Sequence, residues 1–343
     1  MTGSLAVVAI GRNEGARLIR CLESIRDCGL TGVYVDSGST DTSVAAATPL
    51  GFAVVELDPA KPFTAARARH EGFQRLRELS PSTELVMFVD GDCEIAEGWP
   101  NAATVFLHEH KDVGVVGGRR RERRPEASAY NRLCDIEWDT PTGEALAIGG
   151  DFVVRADAYE QAGGFDASVP SGEEPEFCKR LRAAGWTIHR LDQEMTLHDA
   201  DITHFRPWWT RQIRSGYGGW DVERRFRLGV FDRMLRSAMV WGVAYPFVSL
   251  VASMLAAWMF GAVGCVTVLF AAGLGWLVQS ARIARHARRQ GHSWLASLEY
   301  GWLTMLSKPA ISWGVFKSIR TRAQNKPTGI IEYKSNASEC ASA

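Results

Sequence analysis

Little in this 343-residue chain suits a disulfide or zinc-ribbon scaffold: its 7 cysteines are odd in number and scattered, with no Cys-x-x-Cys pair. Stapled secreted domains use even, regularly spaced cysteines, so that class is excluded and a reducing compartment suits the chain. A charge excess is also missing. Lys plus Arg and Asp plus Glu both number 39, a balance that argues against a protein built to wrap nucleic acid. No G-x-x-x-x-G-K-[ST] occurs, which excludes a P-loop NTPase, and Gly11-Arg12-Asn13-Glu14-Gly15 does not fit the dinucleotide fingerprint G-x-G-x-x-G. The first ten residues lack a charged leader region and read as a first strand rather than a signal peptide. At 46% hydrophobic and 23% charged residues, the chain is neither disordered nor collagen-like.

Charge is absent altogether from Ser237 to Ala281, a run of 45 residues. A bilayer-spanning helix needs about 20 apolar residues, so this run holds two spans. The neighbourhood of Gly261 and Gly264 is the natural place to turn back, giving spans over about 238–260 and 265–281. Arg233 and Arg236 precede the run; Arg282, Arg285, Arg288 and Arg289 follow it. Basic residues at both outer ends place those ends on the cytoplasmic side. The chain then divides into a domain over 1–230, a transmembrane hairpin over 231–285, and a remainder over 286–343. In that remainder 294–320, kinked or broken at Pro309, reads as an interfacial helix, with a re-entrant or tilted third segment as the alternative, and the tail from Thr321 as loose.

The first 230 residues alternate short β-rich runs with helical ones. Strands are predicted at Leu5–Ile10, Gly32–Val35, Ala53–Leu57, Leu85–Val89, Val113–Val116 and Thr187–Leu191. Helices are predicted at Gly15–Arg26, Thr42–Ala47, Thr64–Leu79, Trp99–His110, Arg155–Ala162 and Glu174–Ala184. Such alternation implies an α/β fold, a mostly parallel twisted sheet with helices on both faces, whose ligands sit at the carboxyl ends of strands. Those ends carry acids. Strand one runs into Arg12-Asn13-Glu14, strand two into Asp36-Ser37, and Leu85–Val89 into Asp90-Gly91-Asp92. Side chains alternate along an extended chain, so Asp90 and Asp92 share a side and form a hard-oxygen site for Mg²⁺ or Mn²⁺. Glu173 and Glu174 open a helix and read as a dipole-complementing first turn or as general-base carboxylates. His198 is an imidazole able to join Asp92 at a metal. The basic run Arg119–Arg124 reads either as a solvated loop or as a binder of anionic headgroups or a lipid-linked phosphate. Arg206, Trp208, Trp209, Arg211 and Arg214 read as lying along a membrane surface.

Together these pieces resemble the family 2 glycosyltransferases, which have the GT-A fold. The matching pieces are Val7–Glu14, Val35–Asp41, Ala68–Gly72, Phe88–Asp92, Gly163–Asp166 and Gly172–Trp186, in the family's order. The resemblance implies Asp36 as the acid at the nucleotide base, with Arg69 beside it and Arg12, Asn13, Glu14 and Ser37 lining the same end. It implies Asp90 near ribose and phosphates, Asp92 and His198 as metal ligands, and Glu174 as the general base of an inverting transfer. Gly149-Gly150-Asp151 would begin the acceptor side. Three departures stand out: Glu174 where Asp is usual, His70 where Asn is usual, and Trp208-Trp209-Thr210-Arg211-Gln212 in place of Gln-x-x-Arg-Trp. The last favours a single sugar transfer over processive synthesis. The implied protein is a multi-pass enzyme of the bacterial inner membrane with its catalytic domain in the cytoplasm. It moves a sugar from a nucleotide-sugar donor, UDP-sugar favoured, to a lipid-linked or polysaccharide acceptor with a divalent cation, Mn²⁺ or Mg²⁺. The alternative is a non-catalytic membrane subunit that keeps the fold without the chemistry.

Overall fold

A computed structural model describes residues 4–324. The described residues divide into two compact units: 4–124 with Glu137–Asp201, and Pro125–Ile136 with 202–324. The division falls between Asp201 and Ile202, upstream of the boundary expected near residue 230.

The first unit carries β1 (Leu5–Gly11), α1 (Ala16–Asp27), β2 (Gly32–Asp36), α2 (Ser43–Ala47), β3 (Ala53–Glu56), α3 (Ala65–Leu79), β4 (Leu85–Asp90), β5 (Cys93–Ile95), α4 (Trp99–Glu109) and β6 (Val113–Glu122). After α5 (Ala129–Glu137) come β7 (Gly143–Glu144), β8 (Phe152–Arg155), α6 (Ala156–Gln161), α7 (Glu173–Ala183) and β9 (Thr187–His198). The sheet order is β3-β2-β1-β4-β8-β6-β9-β5, with β7 added on β9. The pairs β1–β2, β1–β4, β2–β3 and β6–β9 are parallel; β4–β8, β6–β8, β5–β9 and β7–β9 are antiparallel. The sheet is therefore mixed, a correction to the mostly parallel sheet expected. The antiparallel pairs come from three short strands, β5, β7 and β8, too brief to give a periodic signal.

Helices cover both faces, as the apolar pattern requires. In β1, Val7 and Ala9 pack with Leu18, Cys21, Leu22 and Ile25 of α1 and with Trp99, Ala103 and Leu107 of α4. Val8 and Ile10 face the opposite way, onto Ala68, Phe73 and Leu76 of α3 and Phe177 of α7. The α1 residues recur at i, i+3, i+4 and i+7, one helical face. Burying each such aliphatic side chain contributes about 1.5–3 kcal/mol relative to leaving it in water. Thr64 caps α3, its hydroxyl accepting from the Arg67 backbone N–H at 3.0 Å. Strand β1 lies between β2 and β4, so the order reverses there. That switch point opens a crevice at the strands' carboxyl ends, where Gly11 is level with Asp36 and Ile10 with Asp90.

The second unit is helical: α8 (Phe205–Phe226), α9 (Asp232–Met239), a π-helical turn over Val240–Ala244, α10 (Tyr245–Arg289) and α11 (Trp294–Ala323). The wider π turn contains Gly242, four residues before Pro246, whose ring would crowd that carbonyl in a regular helix. Asp232–Arg289 is long and apolar enough to cross a membrane by length and composition. It is folded in two: Gly261 leaves the helix at φ 66°, ψ −158°, and the Tyr245 hydroxyl donates to the Ala272 carbonyl at 2.7 Å. In one straight helix those residues would lie about 40 Å apart. Large apolar side chains stand out on this hairpin, with Trp258 85% and Phe270 74% exposed.

Pro309 does not break α11, which runs through it over 30 residues. Packing holds it: Gly301, Met305, Ile311, Gly314 and Val315 are all buried. A methyl on Gly216 of α8 would lie 2.0 Å from the Ile311 carbonyl oxygen, and one on Gly314 2.1 Å from that of Ile213, so the two backbones cross in near contact. Asp221 of α8, with no exposed surface, is held by Arg322 of α11 at 2.8 Å and by Arg225 at 3.6 Å. Trp208 is fully buried in α8 beside Tyr130, which removes it from the membrane-surface group expected from sequence. Thr321–Ala323 still belong to α11 and Gln324 caps it; residues 325–343 of the tail expected to be loose lie outside the described residues.

Candidate active site

At the switch point the loops after β1 and β2 lace together. The Asn13 N–H donates to the Ser39 hydroxyl at 2.9 Å, and the Asn13 side-chain carbonyl accepts from the Thr40 N–H at 2.7 Å. Asp36, 1% exposed, accepts from the Tyr34 hydroxyl at 2.8 Å and from the Ser39 N–H at 2.7 Å. Its carboxylate therefore shapes the β2 loop. The Ser37 N–H donates to the Gly11 carbonyl at 3.0 Å. Arg12 is exposed and lies over the Phe63 ring, while Glu14 turns the other way and pairs with Arg17 at 3.0 Å. A cavity of about 500 Å³ on that side is lined by Asn13, Glu14, Arg17, Arg20, Arg124 and Asp199 among others.

Two strands along from Asp36, roughly 10 Å by sheet spacing, begins a second and denser group. Arg69, projecting from α3 and 2% exposed, donates to Glu173 Oε1 at 2.8 Å and Asp90 Oδ1 at 2.9 Å, with Glu174 at 3.5 Å. Arg69 thus organises the acids rather than standing beside Asp36. Arg120 of β6 reaches Asp90 Oδ2 at 3.2 Å and Asp151 Oδ2 at 2.9 Å. Asp151, wholly buried, also accepts from the Asp90 N–H at 3.0 Å and the Thr196 hydroxyl at 2.6 Å. Burial alone would raise the Asp90 carboxyl, but Arg69 and Arg120 outweigh it and hold it below the usual carboxylate range.

Glu173 and Glu174 open α7 and separate in role. Glu173 is tied to Arg69 at 2.8 Å, whereas Glu174 lies 3.5 Å from Arg69 and accepts from the Gly150 N–H at 2.9 Å. Burial, reinforced by the charge of Glu173 and opposed by Arg69, pushes Glu174 up to about 7. Such a carboxyl changes charge near neutral pH, as a general base requires.

Gly150 links these parts. Its N–H holds Glu174, its carbonyl accepts from Arg69 at 3.5 Å, and an added Cβ would lie 1.8 Å from an Arg120 nitrogen. Its φ of 77° is in the left-handed region. Gly150→Ala is expected to lower stability by about 1–3 kcal/mol, read as a fall in the denaturant midpoint at constant slope. It would also reduce turnover, since Arg120 and Glu174 lose their seats together.

Beyond Asp90, the chain turns through Gly91 so that Asp92 meets β9. His198 Nε2 lies 3.3 Å from Asp92 Oδ2, and one ligand atom each of Asp92, Cys93 and His198 fall within 4.8 Å of one another. All three side chains are buried. Around them, five carboxylates (Asp90, Asp92, Asp151, Glu173, Glu174) face two guanidiniums (Arg69, Arg120). That surplus of negative charge beside imidazole and carboxylate donors fits a divalent cation.

Sequence reasoning passed over Cys93, had Arg120 only as one of a basic run, and had Asp151 only as part of an acceptor side rather than beside Asp90. The run Arg119–Arg124 is neither a solvated loop nor a free basic patch. It continues β6, with Arg119 on Asp139, Arg121 on Glu194, Arg123 on Glu94 and Arg124 on Asp199. Register shifts against β9 on either side of Arg119 re-aim these side chains.

These features define a GT-A-like mixed sheet with an acid-rich, cation-fitting switch point. Residues 6–151, which hold Asp36, Arg69, Asp90, Asp92 and Asp151, match Glycosyl transferase family 2. A pre-mycofactocin glycosyltransferase of Mycobacterium tuberculosis, matched in two strains, is 28% identical over 231 residues, covering 63% of this chain and 46% of its own length. The chain spans about half the length of the curated relatives it matches. Among solved structures, a mannosyltransferase from Pyrobaculum calidifontis in complex with GDP-Man and Mn²⁺ superposes with a TM-score of 0.57 at 16% identity. That likeness covers 93% of this chain and 88% of the other and is one of fold.

Proposed function

We propose that the protein is an inverting, cation-dependent glycosyltransferase that moves one sugar from a nucleotide-sugar donor, a UDP-sugar by preference, to a hydroxyl of a lipid-linked or polysaccharide acceptor. The observation that carries this reading is Glu174. It is a carboxylate raised to about 7 and held by Gly150, in the same network as the acids of a cation-fitting centre.

The donor's nucleoside would rest against the loops after β1 and β2, where Asn13, Ser37 and Asp36 hold the backbone in shape, with Arg12 and Glu14 at the rim. Asp92 and His198 would hold Mn²⁺ or Mg²⁺, with Asp90 alongside. The cation, when bound, supplies neutralisation of the charge that develops on the leaving diphosphate. Arg69 and Arg120 keep Asp90 ionised and in place. Glu173 fixes Arg69, so that one side chain orients two acids. Glu174 takes the proton of the acceptor hydroxyl as its oxygen attacks the anomeric carbon from the face opposite the departing diphosphate, which inverts that centre.

The hairpin supports a multi-pass anchor in a bacterial inner membrane with the catalytic unit in the cytoplasm. Its two halves are folded back at Gly261, its apolar side chains are outward, and basic residues flank both outer ends. A lipid-linked acceptor gives such an anchor a purpose. Exposed Trp294, Leu298, Trp302 and Trp313 suit α11 to the headgroup level.

Detergent-solubilised protein offered a panel of UDP- and GDP-sugars is expected to hydrolyse one UDP-sugar slowly, and only with Mn²⁺ or Mg²⁺ present. Absence of cation-dependent binding or hydrolysis for every donor would overturn the reading and leave a scaffold subunit in its place.

A further inference from the structure

The sheet holds the backbone of His198; its ring is held separately. His198 pairs with Cys93 across β5 and β9, and its carbonyl accepts from the Arg123 N–H at 2.9 Å. The next N–H, of Asp199, donates to the Asp92 carbonyl at 2.9 Å. Those bonds fix where the imidazole starts and leave its two side-chain torsions to its neighbours. Nε2 lies 3.3 Å from Asp92 Oδ2. Nδ1 is buried and has no hydrogen-bond partner among the described residues.

A neutral imidazole carries one ring proton, so with Nε2 turned to a cation that proton is on Nδ1. Imidazoles that bind metal almost always donate it to a carboxylate, a carbonyl or water, which sets the orientation of the ring. Here the neighbour is Trp138, half-buried just after α5. The two ring centroids lie 4.6 Å apart at an interplanar angle of 75°, an edge-to-face contact. The face of an aromatic ring is negative and its edge positive, so an N–H edge set over that face is attracted to it.

Trp138 has its own supports. Its chain neighbour Asp139 is ion-paired with Arg119 and, at 3.8 Å, with Arg190. The Arg120 guanidinium lies over the indole, 5.6 Å from the ring centroid. Arg120 is the side chain that also holds Asp90 and Asp151. Two members of the basic run thereby seat the ring that touches His198.

We propose that Trp138 is the positioning residue of the cation centre: its ring takes the place of the usual acceptor and keeps His198 Nε2 turned towards Asp92. The inference deepens the reading of Asp92 and His198 as a Mn²⁺ or Mg²⁺ centre and rests on it. Because the contact is ring on ring, phenylalanine should substitute for tryptophan, whereas leucine, also apolar but without a π face, should not.

The test uses the full chain in detergent and Mn²⁺ as the probe, the free ion being read from its electron paramagnetic resonance signal with and without UDP. Trp138→Leu is expected to weaken Mn²⁺ binding about tenfold or more, the usual loss when the group orienting a ligand histidine is removed. An unchanged circular dichroism spectrum checks that the variant is folded. Trp138→Phe serves as the second variant and should keep most of the wild-type affinity. Coupling is the further readout. His198→Ala should bind Mn²⁺ more weakly, and Trp138→Leu added to it should cost nothing more, since the indole acts only through the imidazole. An unchanged affinity in Trp138→Leu, an equal loss in Trp138→Phe, or a full further loss on the His198→Ala background would overturn the proposal. A wild-type chain that binds no Mn²⁺ would overturn the cation centre together with it, whereas failure confined to the Trp138 variants leaves that centre and the donor panel standing.

Discussion

Glu174→Gln should retain donor binding and lose turnover, with kcat down by about 10²–10⁴-fold, the usual contribution of a positioned base. Glutamine keeps a carbonyl oxygen for the Gly150 N–H, so the loop and α7 stay in place while the proton acceptor disappears. The pH profile is the sharper readout. A general base works only when ionised, and burial beside Glu173 has pushed Glu174 up to about 7. Wild-type kcat/KM should therefore fall about tenfold per pH unit below about 7, at a pH well above that of an ordinary carboxylate, and level off above it. The variant's residual rate should be flat through that range. Lost donor binding with an unchanged pH profile would instead make Glu174 a structural clasp for Gly150.

Asp92→Asn should remove cation dependence altogether and cut transfer by about three orders of magnitude, the several kcal/mol that charge neutralisation of a leaving diphosphate supplies. The substitution keeps the buried shape, and the Asp92 backbone carbonyl still accepts from the Asp199 N–H at 2.9 Å, so the β5–β9 junction is expected to stay folded. Calorimetric titration with UDP and Mn²⁺ should show binding in the wild type and none that requires Mn²⁺ in the variant. Unchanged activity would remove Asp92 from the cation centre and, with it, His198.

Much of the first unit was legible because its signals are long or repeated. The apolar runs of β1, β2 and β4 and the helical spacing of α1 and α3 place the strand ends, and acids at those ends mark the crevice. Six strands were expected close to where six lie. The three missed strands have two to four residues each, and the mixed pairing they create has no periodic signature. Arg120 was hidden for a different reason. In a run of five arginines nothing local distinguishes the one facing Asp90 and Asp151 from those paired with other acids, because register shifts against β9 decide which way each side chain points. Asp151 was visible as an acid after two glycines, but its burial and its bond to the Asp90 N–H depend on β8 lying antiparallel beside β4. Pro309 shows the opposite failure: a strong local breaker is overridden where glycines let α8 and α11 approach closely.

The ion pair between Asp221 and Arg322 bears on how the helical unit is made. A carboxylate with no exposed surface is placed early, in α8, and its nearer guanidinium arrives 101 residues later, at the far end of α11. Its other neighbour, Arg225, stands further off at 3.6 Å. An uncompensated charge at such a position destabilises by about 3–5 kcal/mol. Arg322 thereby couples the far end of α11 to α8: without it the Asp221 carboxylate would be buried beside Arg225 alone.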